Sequence, residues 1–145
     1  MKKINLKLLS DLKKIAAHFK LNLSKTDFIR KVALALDTKK HKLLIIDETD
    51  KPFFKTVDLQ NVDACTLKVD YKNINAGDLE DQNMDHFIDR VQLHILHIDP
   101  QKSVSINFYD TTLNNENDRE RLVDKANEWK NVISKIVRPK QLVRA

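Results

Sequence analysis

The chain has 145 residues, of which 41% are hydrophobic and 32% charged, a balance typical of one soluble globular domain and not of a disordered chain. The single glycine, Gly77, argues against glycine-rich phosphate loops and against the nucleophile elbow of hydrolases, which need several glycines at fixed spacing. The single cysteine, Cys65, excludes an internal disulfide. Because the sequence also shows no pattern typical of a signal peptide and no spanning apolar run, we expect a cytoplasmic protein.

The net charge of +5 is divided unevenly along the chain. Residues 1–31 contain nine Lys or Arg and two Asp, and residues 135–145 contain four Lys or Arg and no acid, so the segment between them carries −6. Basic ends on an acidic body indicate contact with an anionic partner, such as a membrane surface, a nucleic acid or an acidic protein. Solvated lysines on ordinary helix faces are the simpler alternative.

An amphipathic helix is predicted over residues 4–20, and we assign residues 1–22 to this N-terminal element. The apolar stripe of the helix consists of Leu8, Leu9, Leu12, Ile15, Ala16 and Phe19. We expect the stripe to dock on the helix's own domain. A second copy of the chain or a lipid interface would also cover it.

The first strands follow the helix. Alternating apolar residues predict a β-hairpin of residues 30–36 and 43–48, after polar residues 24–27 that suit a turn or a helix cap. A helix over 26–36 is the main alternative, because alanine and leucine favour helices.

Four more strands are predicted, which makes six in all. Residues 53–59 and 62–71 come first, and residues 72–86 are a polar loop that has room for a seventh strand. Residues 87–98 and 103–110 form a second hairpin, whose turn contains an Asp-Pro pair that presets a turn corner.

The last predicted element is a long helix that carries the only tryptophan, Trp129. Polar and acidic residues 114–118 suit its start, and Pro139 ends it. Its apolar stripe consists of Leu122, Ala126, Trp129, Ile133, Ile136 and Val137. The predicted core of the protein consists of Leu34, Leu36, Ile45, Leu67, Val69, Leu93, Ile95, Ile106, Phe108, Trp129 and Ile133.

This order of elements resembles a pleckstrin-homology-like (PH-like) domain. Antiparallel strands closed by a C-terminal helix with an inward tryptophan are typical of that family, and residues 57–67 are similar to a strand pair often seen in its bacterial members. The resemblance covers residues 28–138 and leaves residues 139–145 as a basic tail. It implies an α+β fold, with an antiparallel β-barrel or sandwich of six or seven strands, a C-terminal plugging helix and an extra N-terminal helix. It also implies a scaffold for lipid headgroups, peptides or protein partners.

Catalytic and metal-binding patterns are weak in this sequence. His94 and His97 lie three residues apart on a predicted strand, which puts them on opposite faces, and a zinc site needs three or four convergent ligands. Cys65 shares an apolar strand face, so we interpret it as a small buried residue rather than a nucleophile. The acids between Asp78 and Asp89 lack the spacing of a calcium loop.

The sequence therefore predicts a non-enzymatic interaction module without a cofactor or metal. It would contact a protein partner or an anionic membrane surface through basic residues, namely Lys3, Lys7, Lys14, Arg30 and Lys31. One alternative is a nucleic-acid-binding protein that uses the same basic ends, although aromatic residues make up only 6% of the chain. Another is a small ligand-binding barrel or enzyme that uses its interior.

Overall fold

The protein is described by a computed structural model for residues 6–72 and 87–137, and in these residues it contains two α-helices, seven strands and three short 3₁₀ turns. The elements run in the following order: α1 (Leu6–His18), β1 (Lys25–Ile29), β2 (Val32–Asp37), β3 (Lys42–Asp47), β4 (Phe53–Asp58), β5 (Val62–Tyr71), β6 (Ile88–His97), β7 (Val104–Asp110) and α2 (Arg119–Ile136). The contacts divide the chain into a first unit, Met1–Gln60, and a second unit, Asn61–Ala145.

The fold class is α+β, with two antiparallel sheets and a helix near each end of the described chain. The first sheet has four strands in the order β1-β2-β3-β4, and the second has three in the order β5-β6-β7. The described strands thus form two sheets and not one closed barrel.

The first predicted hairpin is confirmed, since β2 pairs with β3 and Leu34 lies opposite Ile45. The prediction of a turn or cap at residues 24–27 was wrong, because Lys25 already begins β1, which pairs with β2 up to Ile29 and Val32. Strand β1 lies at the edge of its sheet and carries charged residues, as edge strands often do, and it therefore lacks a long apolar alternation. The alternative helix over 26–36 is not formed.

Helix α1 docks on the first sheet, as most of its stripe predicts, but the inclusion of Phe19 in that stripe was wrong, because Phe19 follows the helix and is 40% exposed. Leu8, Leu12 and Ala16 pack against β2 and β3, and all three are buried. The residues beneath them are Ala33, Ala35, Leu44 and Ile46. Two alanines on β2 leave room for a helix close to the sheet, while the larger side chains of β2 alternate onto the other face, where they are also buried.

In the second unit, α2 contacts all three strands and buries Leu122, Ala126, Trp129 and Ile133. Helix α2 follows a short 3₁₀ turn capped by Asn115, whose side chain accepts the backbone N–H of Asn117, as the polar start signal predicts. Pro139 and the basic tail 139–145 lie outside the described residues, as do residues 73–86 of the predicted polar loop.

Most of the predicted core is buried, but the alternation fails at the end of β7. Leu67 and Val69 are only half-buried, whereas Tyr109, which follows the predicted core residue Phe108 and was not itself predicted to be in the core, is 1% exposed. The pairing shifts there, since Val91 lies opposite Tyr109 while Gln92 lies opposite Asn107. The resulting β-bulge turns both Phe108 and Tyr109 inward.

Candidate interaction site

A cleft of about 260 Å³ lies in the first unit, between α1 and the neighbouring ends of β3 and β4. Its lining residues are Asp11, Lys14, Ile15, Ile46, Glu48, Pro52, Phe53 and Phe54. Sites for drug-sized ligands usually measure roughly 300–1,000 Å³. The cleft is therefore sized for one or two side chains rather than for a cofactor.

Three exposed phenylalanines lie at or next to this cleft, since Phe53 and Phe54 line it and Phe19 contacts Phe54, and we call these three residues the aromatic cluster. Phe19, Phe53 and Phe54 are 40%, 54% and 46% exposed. The rings of Phe19, just after α1, and Phe54, on β4, meet edge to face with centroids 5.9 Å apart. The pairing of Asp47 with Phe53 and of Ile46 with Phe54 fixes the two β4 residues beside the end of β3. Single exposed apolar residues are ordinary, but a group of this kind often marks a binding surface.

Two acidic side chains line the same cleft, and Lys7 forms an ion pair with each of them. The Lys7 Nζ atom lies 2.9 Å from Asp11 Oδ2 and 3.4 Å from Glu48 Oε2. The Glu48 side chain is only 9% exposed, whereas that of Lys7 is 70% exposed and lies on the solvent side. Lys7 thus approaches the two acidic side chains from the solvent side.

The two carboxyl groups also affect each other's ionisation. Hydrogen bonding to Asp11, with burial acting in the same direction, raises the pKa of Glu48, and hydrogen bonding to Glu48 lowers the pKa of Asp11. Bonds to Asp11 and then Glu48 raise the pKa of Lys7. The pair therefore retains a proton on Glu48 more readily than an isolated glutamate does, while Asp11 keeps its charge.

The structure brings some of the predicted basic contact residues together. Lys14 is exposed and lines the cleft, whereas Lys7 is engaged with Asp11 and Glu48. Arg30 and Lys31 are exposed in the two-residue turn between β1 and β2, where Arg30 has a φ of 55° in the left-handed region. The Lys31 carbonyl accepts the backbone N–H of Glu48 at 2.9 Å, so this turn adjoins the cleft wall. Lys3 lies outside the described residues.

Cys65 lies buried on β5. Burial raises the pKa of its thiol to about 12, against the weaker opposing effect of Lys130. The thiolate, which is the nucleophilic form, is therefore scarce at neutral pH. His97 has a structural role, since its Nδ1 accepts the backbone N–H of Asp99 at 2.9 Å in the turn after β6.

Two buried carboxylates hold turns in place. Asp37 is 1% exposed and accepts backbone N–H groups of Asn22, Lys39 and Lys40 at 2.8, 3.0 and 3.0 Å, which ties the segment after α1 to the β2–β3 turn. Asp110 accepts the backbone N–H and the hydroxyl of Thr112 at 2.9 and 2.7 Å at the end of β7. The backbone bonds lower the pKa of Asp37, and the Thr112 hydroxyl has the same effect on Asp110.

Residues 6–72 and 87–137 contain no cluster of three or more His, Cys, Asp or Glu side chains placed to bind a metal ion. No helix in that part of the chain combines the length and apolarity needed to cross a bilayer. No family model, curated protein or solved structure matches the sequence or the fold.

Four residues of the cleft were not predicted as site residues from the sequence, namely Asp11, Glu48, Phe53 and Phe54. One local signal was present, because adjacent phenylalanines directly after Pro52 cannot both occupy the same face of a strand. The ion pair between Lys7 and Glu48 joins residues 41 positions apart and left no such signal.

Proposed function

We propose that the protein is a non-enzymatic interaction module and that the first unit binds a segment of a partner protein in its cleft. The observation that carries this proposal is the aromatic cluster, in which the exposed Phe53 and Phe54 line a mostly apolar cleft and the exposed Phe19 packs against Phe54. Protein interfaces place aromatic anchors in such pockets, where a few side chains supply most of the binding energy. A cleft of about 260 Å³ has room for one or two such anchoring side chains.

A PH-like fold is part of the same proposal. In residues 6–72 and 87–137, seven antiparallel strands, the number usual in that family, precede helix α2, in which Trp129 is fully buried. The four-strand and three-strand sheets and the position of α2 against the second sheet support this interpretation.

The proposed absence of catalysis is supported by the structural roles of three buried side chains that could otherwise react. The carboxylate oxygens of Asp37 and Asp110 accept hydrogen bonds within turns, and burial keeps Cys65 in the protonated thiol form. These groups stabilise the fold, and none of them lines the cleft.

A protein partner is favoured over an anionic membrane surface because of the state of Lys7. Its ammonium is already paired with Asp11 and Glu48, and these carboxylates would repel a lipid phosphate brought to the same place. Lys14, Arg30 and Lys31 remain exposed, so membrane binding is retained as an outcome of the test.

Selection of peptides from a random displayed library against the full chain tests the proposal. The selected peptides should bind the F53A/F54A variant about tenfold or more weakly, because truncating an interface anchor costs that much. The matched control is I98A/L113A, which removes two residues of similar exposure, 60% and 49%, from the second unit and should leave binding unchanged.

Two results would overturn the proposal. If the selected peptides bind the F53A/F54A variant as tightly as they bind the native chain, the contact surface lies elsewhere on the protein. Enrichment of no peptide, together with salt-sensitive binding to phosphatidylserine vesicles that is lost on replacing Lys14, Arg30 and Lys31, would establish the membrane alternative.

A further inference from the structure

We propose that the occupant of the cleft is a partner segment that carries a cationic side chain next to an apolar anchor, and that its cation replaces the Lys7 ammonium between Asp11 and Glu48. This inference rests on the proposed function and specifies the chemistry of the partner.

The charges that line the cleft favour a cation. Asp11 and Glu48 are among its lining residues, and Lys14 is the one cation among the lining residues that the structure describes, so acidic side chains outnumber basic ones there. Lys7 is not a lining residue and reaches the carboxylates from the solvent side. When Lys7 swings away, the Asp11 carboxylate loses this counter-ion, and another cationic group can take its place beside the nearly buried Glu48 carboxyl.

Lys7 is a replaceable counter-ion. Its side chain is 70% exposed, and its contact with Asp11 is an i,i+4 pair on the surface of α1, a type of ion pair that contributes little to stability. A guanidinium offers several donors in a planar fork, so it can bond both carboxyl groups at once, whereas the Lys7 ammonium reaches the second at 3.4 Å.

The apolar part of the cleft supplies the second half of the recognition. Ile15 and Ile46 line it together with Pro52, Phe53 and Phe54, so an aliphatic or aromatic anchor finds apolar contacts next to the carboxylates. The phenylalanine rings also attract cations through their faces, which adds to the preference for arginine or lysine. A purely apolar segment would leave Lys7 where it is, and an acidic segment would meet two carboxylates.

Three small probes of similar shape test this chemistry on the full chain by NMR titration. 2-Phenylethylguanidinium is the cation, 3-phenylpropanol the neutral analogue and 3-phenylpropanoate the anion. We expect the cation to shift the methyl signals of Ile15 and Ile46 and to bind about fivefold or more tightly than the neutral probe, because charge-assisted hydrogen bonds are roughly twice as strong as neutral ones.

The variants assign that preference to residues. D11N and E48Q keep the shape of each side chain and should each reduce the preference for the cation, and the double variant should abolish it. K7M keeps the apolar stem of the lysine and removes its charge, so it should bind the cation more tightly than the native chain. K13M changes an exposed lysine of the same helix that does not line the cleft, and it should have no effect.

Equal affinity of the cationic and neutral probes would overturn the inference, as would no shift of the two isoleucines by the cation up to its solubility limit. In either case, selected peptides that still depend on Phe53 and Phe54 would leave the proposed function intact. Loss of that dependence as well would overturn both. Unchanged cation binding in K7M would refute replacement of Lys7 specifically.

Discussion

Replacement of Leu12 by alanine tests whether α1 is a structural part of the first unit. Leu12 is 2% exposed and belongs to a cluster in which α1 packs on β2 and β3. A helix that served only as an exported contact surface would not need this side chain. The variant therefore separates docking on the chain's own sheet from docking on a partner.

The expected loss follows from the size and burial of the side chain. Leucine to alanine removes three carbon atoms from the core, worth about 0.8 kcal/mol each by transfer alone, or about 2.4 kcal/mol. The cavity that remains adds to this loss. The side chains beneath the helix, Ala33 and Ala35, are too short to fill that cavity. We therefore expect L12A to lower the free energy of unfolding by about 2–5 kcal/mol.

Urea denaturation followed by far-UV circular dichroism measures this loss, and hydrogen exchange of β2 and β3 amides shows whether the effect is in the first unit. The control is K13A, one residue along the helix and exposed, which should change the free energy of unfolding by less than about 0.5 kcal/mol. If L12A lowers the free energy of unfolding no more than K13A does, α1 is not docked as described. The cleft between α1 and the sheet would then not be formed as described either.

Three further predictions concern buried groups. Because burial raises the pKa of Cys65 to about 12, a thiol reagent should modify the native protein far more slowly than the urea-unfolded chain, and equal rates would contradict its burial. Trp129 is fully buried, so W129A should lower the free energy of unfolding by about 3–5 kcal/mol, measured by urea denaturation. The pKa of Asp37 is lowered chiefly by the Asn22 backbone bond, so its stabilisation is present above the ordinary value of 3.8 and is lost as the pH falls through the lowered value. The urea midpoints of D37N and the native chain should therefore differ at neutral pH and converge in acid, and a constant gap would refute this.

Periodicity predicted strands well where one face is buried and the pairing is regular. Val91, Leu93 and Ile95 alternate with more exposed neighbours along β6, and all three are buried. Tyr109 shows the limit of this reasoning, because a single bulge opposite Val91 reverses the face of the residues that follow. A bulge depends on the partner strand, so the alternation of one strand does not contain it.

Charge reasoning identified the basic residues of α1 but not what surrounds them. Lys7 looks like an available cation in the sequence, since Asp11 is its only acidic neighbour one turn away on the helix. The fold adds Glu48, which the docking of α1 on β3 brings to 3.4 Å. Lys7, which was predicted to attract an anionic partner, is therefore the counter-ion of two acidic side chains. For the same reason, we expect this surface to bind cations rather than anions.

The aromatic cluster is difficult to explain by stability alone. Phe53 and Phe54 are the first residues of β4, an edge strand of the four-stranded sheet, and about half of the surface of each is exposed. The core of the first unit is built from other residues, chiefly leucine, isoleucine and alanine on α1, β2 and β3, so it does not depend on these two rings. Exposed aromatic surface favours association, and polar side chains would form the same edge strand with less risk of it. A binding role gives the exposure a physical reason, because an anchor can bury these rings only when a partner is present.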